Sequence, residues 1–296
     1  MSKLHASTKS ADDLSSQEIL ETILVEAGTA GVLPTNEGKL LQFLGLQQLS
    51  FDFVNEVPWV PGETRMPGEL RAALHLDEKV VATQAGQGEK RTRFSIFHEI
   101  AHCVLPEHHE RIFIDNDQTL GYWTKARFER EANQFAADLL FQGNLFSEHA
   151  LSQPTSLNTV LGLVPRFGAS YESGLRRYTE MHVEPCALIV YERVPRKTED
   201  GYLDEDEYRI QYIVTSPSFR RDYFSSLELS EGTCKASDIF GEHSIWPLSS
   251  VVERELTVDR EGKNSWHFET EVFTNSYKVF QFLRRPIAKR SQKSSQ

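Results

Sequence analysis

His98-Glu99-Ile100-Ala101-His102 is the stretch of this 296-residue chain whose residue types and spacing point most directly to chemistry. On a helix, two imidazoles four positions apart lie one above the other on one face, so both can reach one divalent cation. Glu99 stands one step around the helix, close enough to take a proton from a water at the open position of such a site. A catalytic zinc needs three protein ligands beside that open position, so two histidines leave the set incomplete. His108 stands where the longer pattern H-E-x-x-H-x-x-G-x-x-H puts its last histidine. That pattern turns the chain on a glycine, and here the position holds Leu105 followed by Pro106. Glu129, in the helical segment Thr124 to Phe141, is the preferred third ligand, and Asn133 lies four residues later on its face, placed to orient a ligand from behind. Glu131 points about 200 degrees away around the helix and is held in reserve, as is His108. Tyr122, His108 and His109 are the candidates to stabilise an oxyanion.

These side chains need two helices in register. The first is expected from about Lys90 to Val104, with Phe94, Phe97, Ala101 and Val104 on its buried side, and Pro106 cannot continue it. The second runs from Thr124 to Phe141 and stops at Gly143, with Phe128, Phe135 and Leu139 toward the core and Ala132, Ala136 and Ala137 allowing close approach. Upstream, 17 to 27 and Glu37 to Leu44 are expected helices, Leu49 to Val60 is β-like, and Leu70 to Leu76 and Lys79 to Thr83 are strands joined through Asp77-Glu78. The strand Leu70 to Leu76 offers an edge on which an extended substrate could pair. Thr155 to Phe167 and Tyr171 to Met181 form a helix pair around Gly168-Ala169-Ser170, with Ser170 as cap. Beyond Val183 the pattern turns to strands: Cys186 to Arg193, Tyr208 to Thr215, Val251 to Val258, Ser265 to Thr274 and Tyr277 to Leu283, with one helix near Phe219 to Leu227. Trp246, Trp266 and Tyr277 are expected in the core of that sheet.

A formal net charge of −11 disfavours general attraction to nucleic acid. The helix pair 155–181 could be a DNA-reading helix-turn-helix with Tyr171, Ser173, Arg176 and Arg177 exposed, but surface helices completing an enzyme domain are the preferred reading, so direct nucleic-acid binding is not favoured. Arg284, Arg285, Lys289, Arg290 and Lys293 make a basic tail, and Glu199 to Glu207 an acidic hairpin loop. Three widely spaced cysteines, Cys103, Cys186 and Cys234, argue against a disulfide framework. With no long apolar run and a polar N-terminus, a soluble cytoplasmic protein with no membrane partner is expected.

The stretch Arg93-Phe94-Ser95-Ile96-Phe97-His98-Glu99-Ile100-Ala101-His102, followed by Glu129-Arg130-Glu131-Ala132-Asn133-Gln134-Phe135-Ala136-Ala137-Asp138-Leu139-Leu140, resembles the ImmA/IrrE family of metallo-endopeptidases. The family's pattern is R-F-T-x-A-H-E-x-G-H and then E-x-E-A-N-x-F-A-A-x-L-L. Ala101 here replaces its usual glycine, Phe141-Gln142-Gly143 replaces a frequent Met-Pro, and Pro165 interrupts a helix usually continuous in relatives. The resemblance implies a mainly helical, zincin-like peptidase domain with a small sheet over 17–182; with the antiparallel-sheet-rich domain that the strand pattern gives over 183–284 and the polar ends 1–16 and 285–296 expected to be disordered, an α+β fold is expected. The resemblance implies a Zn2+ site, with Mn2+ an alternative, held by His98, His102 and Glu129, and Glu99 as the proton carrier. It also implies a protein substrate, a helix-turn-helix repressor of a mobile element or a stress response. A DNA-binding or scaffolding regulator with an inert metal site is the alternative.

Overall fold

Helical periodicity dominates as far as Met181 and two-residue periodicity takes over from Cys186, and in the computed structural model of the chain the elements change from mainly helices to mainly strands at the same place. It describes residues 14–56, 70–108, 122–194, 196–197, 203–204, 207–223, 233–241, 251–260 and 263–284. The fold is α+β, with a small sheet, a helical middle and a curled antiparallel sheet toward the C-terminus. Among the described residues no helix is long and apolar enough to cross a membrane.

The first compact unit holds residues up to Glu148 together with 165–169. It opens with α1 (Ser16–Glu26), whose Ser15 and Glu18 exchange hydrogen bonds in a capping box, satisfying backbone N–H groups that the first turn leaves without partners. Helix α2 (Glu37–Leu44) is capped by Asn36 and ends on Gly45 at φ 71°, a left-handed conformation that glycine adopts without steric penalty. Strand β1 (Gln47–Phe51) leads to a one-turn helix, α3 (Phe53–Glu56), so the β-like stretch expected from Leu49 is shorter than expected, and 57–69 lie outside the described residues. Strands β2 (Ala72–His75) and β3 (Val80–Gln84) complete a three-stranded sheet of order β1-β3-β2, in which β3 is parallel to β1 and antiparallel to β2.

Helix α4 (Glu89–Val104) carries the histidine pair. Leu105 leaves it with φ −76° and ψ 121°, the extended conformation that a following proline imposes, and the short turn after it brings His108 back beneath the helix end. Phe97, Ile100 and Ala101 are fully buried. Phe94 is not: it is half-buried and lines a cleft, because the sheet leaves that face of α4 open. Helix α5 (Tyr122–Phe141) packs on α4 through Ala132 and Ala136, which have no exposed surface. Its end is fixed by Gln142, at φ 50°, whose amide nitrogen donates to the carbonyls of Thr29 (3.1 Å) and Val32 (2.7 Å) while its oxygen accepts from the N–H of Gly31 (2.7 Å). Helix α6 (Leu145–Leu151), absent from the sequence expectation, follows at once. Residues 165–169 return to this unit: Phe167 packs against Phe141 and Phe146, and Arg93, bonded to both carboxylate oxygens of Glu37, also donates to the Gly168 carbonyl.

The second unit holds 149–164 and everything from Ser170. Helix α7 (Leu157–Leu163) runs into a 3-10 turn at Val164–Phe167, which Pro165 enforces by removing a backbone donor. Helix α8 (Tyr171–Met181) is capped by Ser170 as expected. Tyr171 meets Phe273 edge-on, Arg176 pairs with Glu180, and Arg177 is buried, so the set expected to face DNA is occupied within the unit. Strand β4 (Cys186–Arg193) comes next, and β5 (Arg196–Lys197), just before the acidic stretch, pairs antiparallel with β6 (Leu203–Asp204) within it. Strand β7 (Glu207–Thr215), helix α9 (Pro217–Tyr223), strand β8 (Thr233–Lys235) and helix α10 (Ala236–Phe240) lead to β9 (Val252–Arg260), β10 (Lys263–Thr274) and β11 (Lys278–Arg284). The six-stranded sheet has the order β8-β7-β4-β11-β10-β9, antiparallel throughout.

Strands β4 and β11 lie at its centre and are buried on both faces, which is why they are continuous apolar runs rather than alternating ones. One face packs Ile189, Tyr191 and Val279 with Phe219, Tyr223 and Phe240, while Phe282 on the other meets Tyr178. Tyr277, expected in the core, is 83% exposed because it sits in the β10–β11 turn, and Trp246 and the side chain of Trp266 lie outside the described residues. Arg284 belongs to the sheet rather than to a basic tail, pairing with Glu269 and Glu271, and 285–296 lie outside the described residues.

Candidate metal centre

The geometry of α4 and α5 brings three donor side chains together. His98 and His102, one turn apart, turn their Nε2 atoms to within 3.2 Å of each other. From α5, Glu129 brings a carboxylate oxygen 3.4 Å from His98 Nε2. One ligand atom from each of His98, His102 and Glu129 lies within 4.8 Å of the others, and among the described residues this is the group of histidine, cysteine or acidic side chains so arranged. A tetrahedral ion with bonds of ~2.0–2.1 Å has donor-to-donor edges of about 3.3–3.4 Å. The two short separations match that edge, and two neutral imidazoles with one carboxylate are the chemistry a borderline divalent cation takes.

Each imidazole is backed at its other nitrogen. Asn133, one turn along α5 from Glu129, sets its Oδ1 3.1 Å from His98 Nδ1. His102 Nδ1 lies 3.0 Å from Nδ1 of His108, and His108 Nε2 lies 3.3 Å from Glu131 Oε2. Glu131 in turn accepts from Arg127 Nε at 2.8 Å, and Arg127 also pairs with Glu107. His108 and Glu131, the reserve candidates for the third ligand, therefore sit behind His102, on the far side of its ring from His98. Glu129 thus reaches His98 Nε2, whereas Glu131, two residues on and differently directed around α5, reaches His108 Nε2.

The electrostatics follow the contacts. His98 is raised above its ordinary histidine value: burial opposes the charged ring, but the hydrogen bond and charge of Glu129, the charge of Glu99 and the bond to Asn133 outweigh it. Burial pulls His108 down, only partly countered by Glu131, so its ring is neutral at neutral pH. Glu131 is held below the usual carboxylate range, because the bonds from Arg127 and His108 outweigh the burial that would raise it.

Glu99 is buried and lines a cleft of about 520 Å³ together with Arg71, Ala72, Phe94, His98 and Glu129. The wall opposite α4 is the start of β2, the outermost strand of its sheet. Of the residues considered for the oxyanion, His108 faces His102 instead, while His109 and the side chain of Tyr122 lie outside the described residues. Arg71 and Arg91, also in the cleft wall, carry no sequence pattern that marks them.

Residues 64–179 match the model of the family described as the IrrE N-terminal-like domain, of the peptidase M78 group. Over that stretch the chain is similar to the IrrE N-terminal-like domain. The matched stretch contains α4, α5 and the whole cluster, and it continues through α7 into α8, beyond the point where the first compact unit gives way to the second. Among solved structures, a Mycobacterium tuberculosis transcriptional regulator is similar with a TM-score of 0.50 at 14% identity, over 91% of this chain and 75% of that one, a likeness of fold. No curated protein matches the chain. The stretch similar to that domain thus contains the helices that position His98, His102 and Glu129.

Proposed function

We propose that the protein is a metal-dependent endopeptidase, with His98, His102 and Glu129 holding zinc or manganese and Glu99 moving the proton. The observation that carries this reading is the spacing of the three donor atoms, two of whose separations, 3.2 and 3.4 Å, come within about 0.2 Å of the edge of a tetrahedral site. The cation supplies Lewis acidity, polarising the scissile carbonyl and making a water acidic enough to lose a proton near neutral pH. Glu99 takes that proton as the water oxygen bonds to the carbonyl carbon, and returns it to the amine nitrogen as the C–N bond breaks. Asn133 Oδ1 accepts from His98 Nδ1–H, keeping the Nε2 lone pair turned into the site. An extended peptide reaches the cleft by pairing with the outer edge of β2, a reading supported by Leu70, Arg71 and Ala72 lining the same cleft as Glu99.

The substrate we propose is a regulatory protein, a helix-turn-helix repressor whose cleavage releases silenced genes. The resemblance to the ImmA/IrrE pattern and the regulator title of the structural neighbour support that choice. The test is incubation of the purified chain, with zinc or manganese, against repressors encoded beside its gene. The wild type is expected to cut one of them at a defined bond, and Glu99→Gln is expected to bind the cation, keep its fold and lose cleavage by at least about 10²-fold. A Glu99→Gln protein with full biological function would replace the enzyme by a binding regulator.

A further inference from the structure

We infer that His108 and Glu131 form a positioning chain that fixes the tautomer and aim of His102. The inference rests on the reading of His98, His102 and Glu129 as a metal site. Its logic runs inward from the carboxylate. An ionised Glu131 only accepts, so His108 Nε2, 3.3 Å away, carries the hydrogen. A neutral imidazole has one N–H, which leaves His108 Nδ1 as a lone pair. His102 Nδ1, 3.0 Å from that lone pair, must then be the donor, and its own lone pair is left on Nε2, the nitrogen 3.2 Å from His98 Nε2. The opposite assignment sets a lone pair of His108 against a carboxylate, a repulsive contact. One acceptor on α5 therefore dictates, across two rings, which nitrogen of His102 can bind a cation.

The chain is also mechanically fixed. His108 is 3% exposed, and its ring stands edge-on to Phe128 with centroids 4.7 Å apart, so it cannot turn without disturbing the core. Arg127 anchors Glu131 at 2.8 Å and is itself held by Glu107. The turn that delivers His108 exists because Pro106 forces Leu105 out of the helix. His98 receives the same service from one side chain, Asn133, whereas His102 needs two.

The test measures Zn2+ affinity of the full chain by competition with a chromophoric chelator, and the visible absorption of the Co2+-loaded protein. Glu131→Leu and His108→Phe are expected to weaken Zn2+ binding about 10–100-fold and to shift the cobalt bands. Glu131→Gln, whose amide oxygen can still accept from His108, is expected to stay close to wild type. Should His108→Phe fail to fold, Glu131→Leu, on a half-exposed position of α5, carries the test alone. A Glu131→Leu protein with wild-type affinity and an unchanged cobalt spectrum overturns the positioning chain. So does a loss of affinity that merely tracks a loss of metal-free thermal stability while the cobalt spectrum stays constant. If the wild type itself takes up no cation, the metal-site reading falls first and this inference with it, so the two failures are distinguishable.

Discussion

At the scale of single residues, Glu129 decides whether two histidines on a helix are a site or a coincidence. Two imidazoles without a third donor hold a divalent cation weakly, and the proposed third donor stands on a helix that begins 18 residues after α4 ends at Val104. Replacing it by alanine is expected to lower Zn2+ affinity by more than the roughly 10–100-fold typical of an outer partner, read by calorimetric titration at constant pH. Retained affinity would move the ligand to another side chain. The spacing of His98, Glu99, His102, Glu129 and Asn133 was legible in the sequence because helical geometry turns spacing into direction. The placement of His108 and Glu131 was not. It depends on a pre-proline turn whose angle no periodicity encodes, and the only local signal was Leu105-Pro106 itself.

At the scale of elements, what aligns α4 with α5 is mostly apolar packing, but the far end of α5 is held by a polar device. Gln142 satisfies the backbone of the loop after α1, including the Gly31 N–H and the Thr29 and Val32 carbonyls, and its amide nitrogen also meets Thr35 Oγ1 at 3.2 Å. Gln142→Leu keeps the bulk and leaves those groups without that partner, so a loss of roughly 2–4 kcal/mol is expected in a denaturant titration, with the midpoint lowered and the slope unchanged. A change below about 0.5 kcal/mol would make the residue an ordinary surface-like position. The long helices and five main strands were legible from their periods, since each is long enough for its pattern to repeat. The short ones were not: α6, β8 and α10 span too few residues to show a period, and the Gly143 stop signal concealed that α6 begins at once. Arg177 and Tyr277 went the other way, because a charged residue can be buried by its neighbours and a tyrosine exposed by a turn, and neither is written locally.

At the scale of the whole molecule, the acidic balance bears on which partners the protein meets. The chain has 43 acidic and 32 basic side chains, and with Arg176 paired to Glu180 and Arg177 buried, these two residues of α8 do not offer duplex DNA a basic stripe. Fluorescence anisotropy with a labelled duplex at about 0.15 M salt is expected to show no binding tighter than the ~10⁻⁴–10⁻⁶ M of ordinary non-specific contacts. A sub-micromolar complex would restore the DNA-binding alternative. The change from helices to strands near Cys186 was visible in residue usage, but the division into compact units, at Glu148 with 165–169 returning, was not, because a five-residue excursion leaves no compositional mark.

That excursion sets a practical limit on dissecting the protein. Because 165–169 supply Phe167 to the aromatic cluster of Phe141 and Phe146 and a carbonyl to Arg93, a fragment stopped at Glu148 would carry every proposed cation donor and still lack part of its own interior. No single cut in the gene yields the first unit intact; the shortest self-sufficient fragment has to run past Ala169 and so takes some of the neighbouring unit with it.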